Sequence, residues 1–208
     1  MQNHEYALVG GMNRAVIGRY ITLVASGVSA GIVFVLLSAV DLAHRWGWNV
    51  NLTPAILSLV GAAAVFGALY WFFNRFAWRW PVLNTALKVP HLSGEWTCVG
   101  QTINPDGSKG PEWKASIIIL QSWDKIRIRL KTAQSTSDSI AAALISDEEV
   151  GFRLLYNYRN TPKIGEVELK GHVGFCELAF DKALREADGE YFNGHGRYTF
   201  GTIKLKRK

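Results

Sequence analysis

Two stretches without a single Asp, Glu, Lys, Arg or His, Tyr20–Val40 and Leu52–Phe73, set the limits on what this chain can fold into. They are 21 and 22 residues long, and a helix needs roughly 20 residues to cross a hydrocarbon core of about 30 Å. Helices of soluble cores rarely exclude charge for so long. Both stretches are therefore predicted to be transmembrane helices, joined as a hairpin. The competing reading of the first is a cleaved signal peptide, with the small residues near Ser38 and Ala39 as its cleavage signal. Apolar signal segments run about 7–15 residues, whereas this stretch is longer and is followed by a second.

Flanking charge predicts the orientation. Arg14 and Arg19 precede the first stretch, and Arg75, Arg79 and Lys88 follow the second. The connection between Asp41 and Asn51 holds only Asp41 and Arg45 besides His44. The Lys/Arg bias places both termini in the cytoplasm and the short connection outside. Aromatic residues agree, with Trp46 and Trp48 at the outer interface and Tyr70 to Phe73, Trp78 and Trp80 at the inner one. Cys98 and Cys176 then lie in a reducing compartment, where a disulfide is not expected. Two lone cysteines also lack the spacing of a metal site.

The net charge of +6 divides unevenly. Residues 1–90 carry six Lys/Arg against two Asp/Glu, and residues 91–208 carry 17 against 15. The basic character is thus partly a matter of membrane orientation, and no nucleic-acid-binding surface is inferred from it. The organisation read from the chain is a cytoplasmic leader over 1–19, helices over 20–40 and 52–73, and one soluble domain over 91–208.

After Pro90 the pattern changes from continuously apolar to alternating. Strands are predicted over Gly94–Ile103, Trp113–Gln121, Trp123–Thr132, Ser139–Ile145, Gly151–Arg159, Glu166–His172, Phe175–Phe180, Tyr191–Phe192 and Thr202–Lys206. Turn signals separate most of them: Asn104-Pro105-Asp106-Gly107, Asp147-Glu148-Glu149, Asn160-Thr161-Pro162 and Asp188-Gly189. Such a run of short strands predicts an all-β, antiparallel up-and-down barrel of about eight strands, lipocalin-like, because no helix is available to cover an open sheet edge.

Chemistry-bearing patterns are sparse. The five histidines are scattered, and His4 and His44 fall in the leader and the outer connection, away from the soluble domain. No nucleophile elbow, phosphate loop, zinc-ligand pair or spaced carboxylate set appears, so no catalytic residue and no metal ligand is assigned. Gly194-His195-Gly196 is too short a glycine motif to cradle a phosphate by itself. The chain reads as a receptor, not an enzyme, and no cofactor is implied.

Signals for ligand binding are better. In Lys125-Ile126-Arg127-Ile128-Arg129-Leu130-Lys131, alternation puts four cations on one face. They form either a solvated outer surface or a phosphate contact at a barrel mouth. The hydroxyl run Ser135-Thr136-Ser137-Asp138-Ser139 either bonds its own backbone or reaches ligand atoms. Tyr156 and Tyr158 share a face, as barrel packing or as stacking partners for bases. Gly94-Glu95-Trp96 is similar to the G-x-W opening of calycin barrels, in which a late-strand Arg packs on the Trp, with Arg197 as the expected partner.

Taken in order, Ser93-Gly94-Glu95-Trp96, the segment from Trp123 to Leu130 with its hydroxyl run, Tyr156-x-Tyr158-x-Asn160-x-Pro162, Gly189-x-Tyr191-Phe192 and Gly201-x-Ile203-x-Leu205 resemble one group of proteins. These are the two-transmembrane-helix β-barrel effectors of bacterial CBASS anti-phage defence. The resemblance covers the whole chain.

What the resemblance implies is a membrane-bound receptor, multi-pass in the inner membrane, for a cyclic dinucleotide made by a partner CD-NTase nucleotidyltransferase. Ligand binding in the barrel would promote homo-oligomerisation, and the spans would then disrupt the lipid bilayer and kill the infected cell. Carried onto matching positions, the ligand site comprises Trp123, Lys125, Ser135, Thr136, Ser137, Tyr156, Tyr158, Asn160 and Arg197. At Phe175 a small hydroxyl residue is expected instead, which weakens the case for a pocket role of that strand.

Gly27-x-x-x-Gly31 in the first span and Ala64-x-x-x-Ala68 in the second supply small residues for close helix packing. They serve either the two spans of one chain or neighbouring copies. Two rival functions remain at this level: a membrane-tethered lipocalin-like binder of an apolar molecule, without killing activity, and a subunit whose barrel binds another protein. An apolar lumen would favour the first and the absence of a deep pocket the second.

Overall fold

A computed structural model describes residues 2–147, 151–166, 169–195 and 197–208. The predicted turn at Glu148-Glu149, the central part of the predicted strand Glu166–His172 and the last residue of Gly194-His195-Gly196 lie outside the described residues. The chain forms two units, one of helices and one of strands.

In the helical unit, α1 runs over Arg14–Arg45 and is capped by the Asn13 side chain, which accepts from the Ala15 amide at 2.8 Å. It is the one described helix long and apolar enough to cross a membrane. Leu23, Val24, Phe34, Val35 and Leu37 project from it, exposed, as lipid-facing side chains would. The second apolar stretch is helical too, but it does not form the single helix expected. It divides into α2, Pro54–Leu59, and α3, Ala62–Arg75, at an extended Gly61. At 1.5 Å per residue, α3 alone is about 21 Å long, short of the hydrocarbon core. The break frees backbone carbonyls that lipid cannot satisfy, and the Ser29 hydroxyl of α1 donates to one of them, the Val60 carbonyl.

That contact also bears on the small-residue motifs. Ala25 and Ser29 are buried in the helical unit, whereas a side-chain carbon at Gly27 or Gly31 would meet nothing within 4 Å. Ala64 and Ala68 are exposed as well. Among the described residues, nothing packs against the Gly27-Gly31 face.

The strand unit holds β1 (His4–Val9), α4 (Pro81–Leu87), β2 (Gly94–Ile103), β3 (Lys109–Gln121), β4 (Lys125–Lys131), β5 (Ser135–Asp147), β6 (Gly151–Pro162), β7 (His172–Phe180), β8 (Glu186–Asn193) and β9 (Phe200–Arg207). The strands hydrogen-bond in a closed ring ordered β1-β4-β3-β2-β9-β8-β7-β6-β5. β2 to β9 pair antiparallel with their neighbours, as expected. β1 departs from the expectation. The segment expected as a leader is a ninth strand, antiparallel to β4 at His4 and Glu5 and parallel to β5 from Tyr6 to Val9.

The reason lies in β4 and β5. They pair only beside their hairpin, over Arg129–Lys131 and Thr136–Asp138. A bulge between Ser139 and Ala141 then turns β5 away, and β1 fills the gap. The Ser139 hydroxyl accepts from the amide of Ile128, a donor that the parting would otherwise leave unpaired, and it also hydrogen-bonds His4 Nε2 at 2.7 Å. Tyr6, 2% exposed, points inward from β1.

Alternation sorts the two faces of the ring. One end is an apolar core built from Trp96, Ile117, Ile119, Ile126, Leu154 and Leu178, all at or near zero exposure. Outside, Arg127 and Arg129 both bind Asp138, at 3.1 and 2.7 Å. The cations of β4 thus lie on the outer face of the ring. Burial works against the Asp138 carboxylate, but the hydrogen bonds from Arg129 and Arg127 outweigh it and hold its pKa below the usual value.

A polar cavity at one end of the barrel

The hydroxyl run and the tyrosines meet because β5 and β6 are in register there: Ser137 lies opposite Asn160 and Ser139 opposite Tyr158. Period two then turns Ser135 and Ser137 of β5, and Tyr156, Tyr158 and Asn160 of β6, to the inside. They line a cavity of about 330 Å³ at the end of the ring away from the apolar core.

Its polar groups are organised in short chains. Asn160 Nδ2 donates to Ser135 Oγ at 2.8 Å and to Ser137 Oγ at 3.0 Å. The other amide atom, Oδ1, is buried without a hydrogen-bond partner. An unsatisfied buried acceptor costs about 1–3 kcal/mol, so a donor supplied by a ligand would be favoured there. Tyr158 Oη donates to Asn193 Oδ1 at 2.8 Å, and Asn193 Nδ2 to Thr199 Oγ1 at 2.7 Å. Across the cavity, Trp113 Nε1 donates to Tyr191 Oη at 3.1 Å.

Space for two of the aromatic rings comes from glycines placed opposite them. Gly100 faces Trp113 and Gly174 faces Tyr158 across strand pairs. A side-chain carbon at Gly174 would stand 2.5 Å from the Tyr158 ring. Tyr156 and Tyr158 have ring centroids 6.0 Å apart. Burial raises the phenol pKa of both, so both are neutral donors. Burial likewise pushes the Cys98 and Cys176 thiols up to about 12, which leaves them protonated and poorly nucleophilic. Burial lowers the pKa of His172, which lines the cavity and is bonded to the Lys170 carbonyl at 3.0 Å. Arg197 is the one Lys or Arg among the described lining residues.

Six of the nine expected site residues line this cavity: Ser135, Ser137, Tyr156, Tyr158, Asn160 and Arg197. The other three do not. Trp123 is fully buried at the entry to β4, at the apolar end. Lys125 is exposed and is the register partner of Glu5 in β1. Thr136 falls between two inward serines, so the pleat turns it outward. The expected Arg197–Trp96 stack is also corrected. Arg207, the cross-strand partner of Trp96, covers its indole with 5.2 Å from guanidinium carbon to ring centroid.

Sequence reasoning missed Trp113, Tyr191, His172 and Cys176 as lining residues. Phe175 points outward and stacks on Phe192 at 5.4 Å, so β7 serves the cavity through its other face. The glycines opposite Trp113 and Tyr158 were the available signal, but only the register gives them meaning.

Residues 87–207 match the family model described as Cap15, cyclic dinucleotide receptor domain, and residues 15–79 match that described as Cap15, TM helices. The chain belongs to the Cap15 family. It is 42% identical over 207 residues to a CD-NTase-associated protein 15 of Yersinia aleksiciae, covering 100% of this chain and 98% of that protein. A protein of the same name from Staphylococcus schleiferi is 29% identical over 136 residues, 65% of this chain and 70% of that one. In this Cap15 chain the receptor-domain match spans the whole cavity, and the TM match spans both apolar stretches. β1 lies outside both matches.

Proposed function

We propose that this Cap15 chain is a membrane effector of CBASS defence, and that its barrel cavity binds a cyclic dinucleotide made by a partner CD-NTase. The observation that carries the reading is the Tyr156-Tyr158-Asn160 row of β6 facing Ser135, Ser137 and Arg197 in one cavity, inside the segment that matches a cyclic dinucleotide receptor domain. Tyrosine rings offer stacking surfaces to bases. The unpartnered Asn160 Oδ1 offers an acceptor to a base edge, and Arg197 offers the cation that a phosphate diester requires. An apolar ligand would leave the hydroxyl and amide groups of this lumen buried without partners, which disfavours it.

Binding acts without chemistry on the ligand: the chain is a receptor and not an enzyme. The occupied barrel favours homo-oligomers whose spans disrupt the inner membrane, with the barrel and both termini cytoplasmic as the Lys/Arg bias predicts. The outward Gly27-Gly31 face supports assembly between copies.

The test is titration of the full chain in detergent with cyclic di-AMP, cyclic di-GMP and cyclic GMP-AMP, followed by thermal shift and calorimetry. Saturable binding that is weakened by Tyr156→Ala supports the reading. Binding to none of them, together with thermal stabilisation by fatty acids or other apolar ligands, overturns it.

A further inference from the structure

One strand, β5, carries three things in sequence. Ser135 and Ser137 line the cavity and hold Asn160. Ser139 sits at the point where β4 and β5 part, bonded to the Ile128 amide and to His4. Ala142 to Ile145 then hold Tyr6 to Val9 of β1 in parallel register. The association continues past the strand. Gly10, at φ +78°, is pressed so close to the Ser146 carbonyl that any side-chain carbon would collide with it. The membrane-crossing helix α1 begins at Arg14. Only Gly11, Met12 and Asn13 separate it from the part of the chain held on β5, a reach of about 10 Å when fully extended.

β1 is also anchored by more than its short ladder. Tyr6 is buried, and its hydroxyl donates to the Ser122 carbonyl and accepts from Gln121 Nε2, at 3.3 and 3.4 Å. Gln121 in turn accepts from the Leu92 amide and donates to the Pro90 carbonyl. A strand that only needed to reach the membrane would not require a buried tyrosine, a histidine bonded at the bulge and a glycine fitted to a carbonyl.

We propose that β1 is a strut that carries the state of the cavity to α1. A ligand that engages Ser135, Ser137 and Asn160 repositions β5 about the Ser139 bulge; β1, held on β5, moves with it; and three residues of linker pass the displacement to the first residue of α1. This rests on the reading of the cavity as a cyclic dinucleotide site. A ligand shifts such an equilibrium only by binding one arrangement more tightly, so the barrel whose β1 is in the activated position binds it more tightly.

The experiment uses the full chain in liposomes, with whichever of cyclic di-AMP, cyclic di-GMP or cyclic GMP-AMP binds it, and dye release as the readout. One variant inserts ten Gly/Ser residues between Gly11 and Met12, leaving β1 in place while adding about 17 Å of slack. Its affinity for the ligand is expected to stay within about twofold, and its ligand-dependent dye release to fall at least tenfold. A second variant, Ala7→Cys with Ala143→Cys, links register partners of β1 and β5. Its oxidised form is expected to release dye as the unaltered chain does. Release that survives the insertion overturns the strut, as does release lost on oxidation and restored by reduction, which would mean that β1 must leave β5. If none of the three nucleotides binds the unaltered chain, the reading of the cavity fails, and this inference with it.

Discussion

Arg207 lies over the indole of Trp96 and donates to the carbonyls of Ser93, His91 and Leu184, tying the end of β9 to the start of β2. Arg197, in the connection before β9, lines the cavity instead. If the cavity is the ligand site, the two arginines separate stability from recognition. Arg207→Ala is expected to destabilise the fold by about 2–3 kcal/mol, from the lost stack and charged hydrogen bonds, seen as a lower Tm. Arg197→Ala should leave Tm nearly unchanged and weaken cyclic dinucleotide binding roughly tenfold, about 1.4 kcal/mol.

The wall of β6 gives a second expectation. Tyr156→Ala and Tyr158→Ala should each weaken ligand binding about tenfold or more if each ring stacks on a base. Gly174→Ala reaches the same site from behind, since its new carbon would stand 2.5 Å from the Tyr158 ring. It should lower affinity by displacing that ring although it adds no contact to the ligand. Calorimetry on the folded variants measures all three, and unchanged affinities would make the tyrosines barrel packing only.

The outer face makes a pH prediction. Asp138 has a folded pKa below its ordinary 3.8 because its bonds to Arg129 and Arg127 outweigh the effect of burial. A depressed carboxylate pKa adds stability that is fully present above the unfolded value and is lost as pH falls through the folded one. Asp138→Asn should therefore cost about 1–3 kcal/mol at pH 7 and progressively less as the pH falls below 3.8. Denaturant titrations along that pH series give the comparison, and a loss that does not change with pH would refute it.

In the spans, Gly27→Leu and Gly31→Leu should leave folding and ligand affinity intact, because nothing stands within 4 Å of either position in one chain. If that face packs against other copies, both changes should reduce ligand-dependent cross-linking and cell killing when the partner CD-NTase is active. Killing at the unaltered level would remove the glycine face from the mechanism.

Much of this organisation is legible in the sequence. Freedom from charge over 21 and 22 residues and alternation after Pro90 are local properties, which hydropathy and side-chain periodicity express directly. That Tyr156 and Tyr158 share a face followed from the same period of two, whereas Ser135, Ser137 and Asn160 came from the resemblance, in segments read as a strand connection and a turn. Other features depended on pairings between distant parts of the chain. His4–Val9 is six residues long, and its partners in β5 lie more than 130 positions away; nothing local marks it as a strand. The choice of Arg207 over Arg197 as partner of Trp96 depends on the register of β9 against β2. The cavity role of Trp113 depends on its standing opposite Gly100. Periodicity says which side of a strand a residue occupies, and the sequence by itself determined that much. Only closure of the ring decided which residue stands across from it, because register is set by the summed burial of whole strands and not by any one segment.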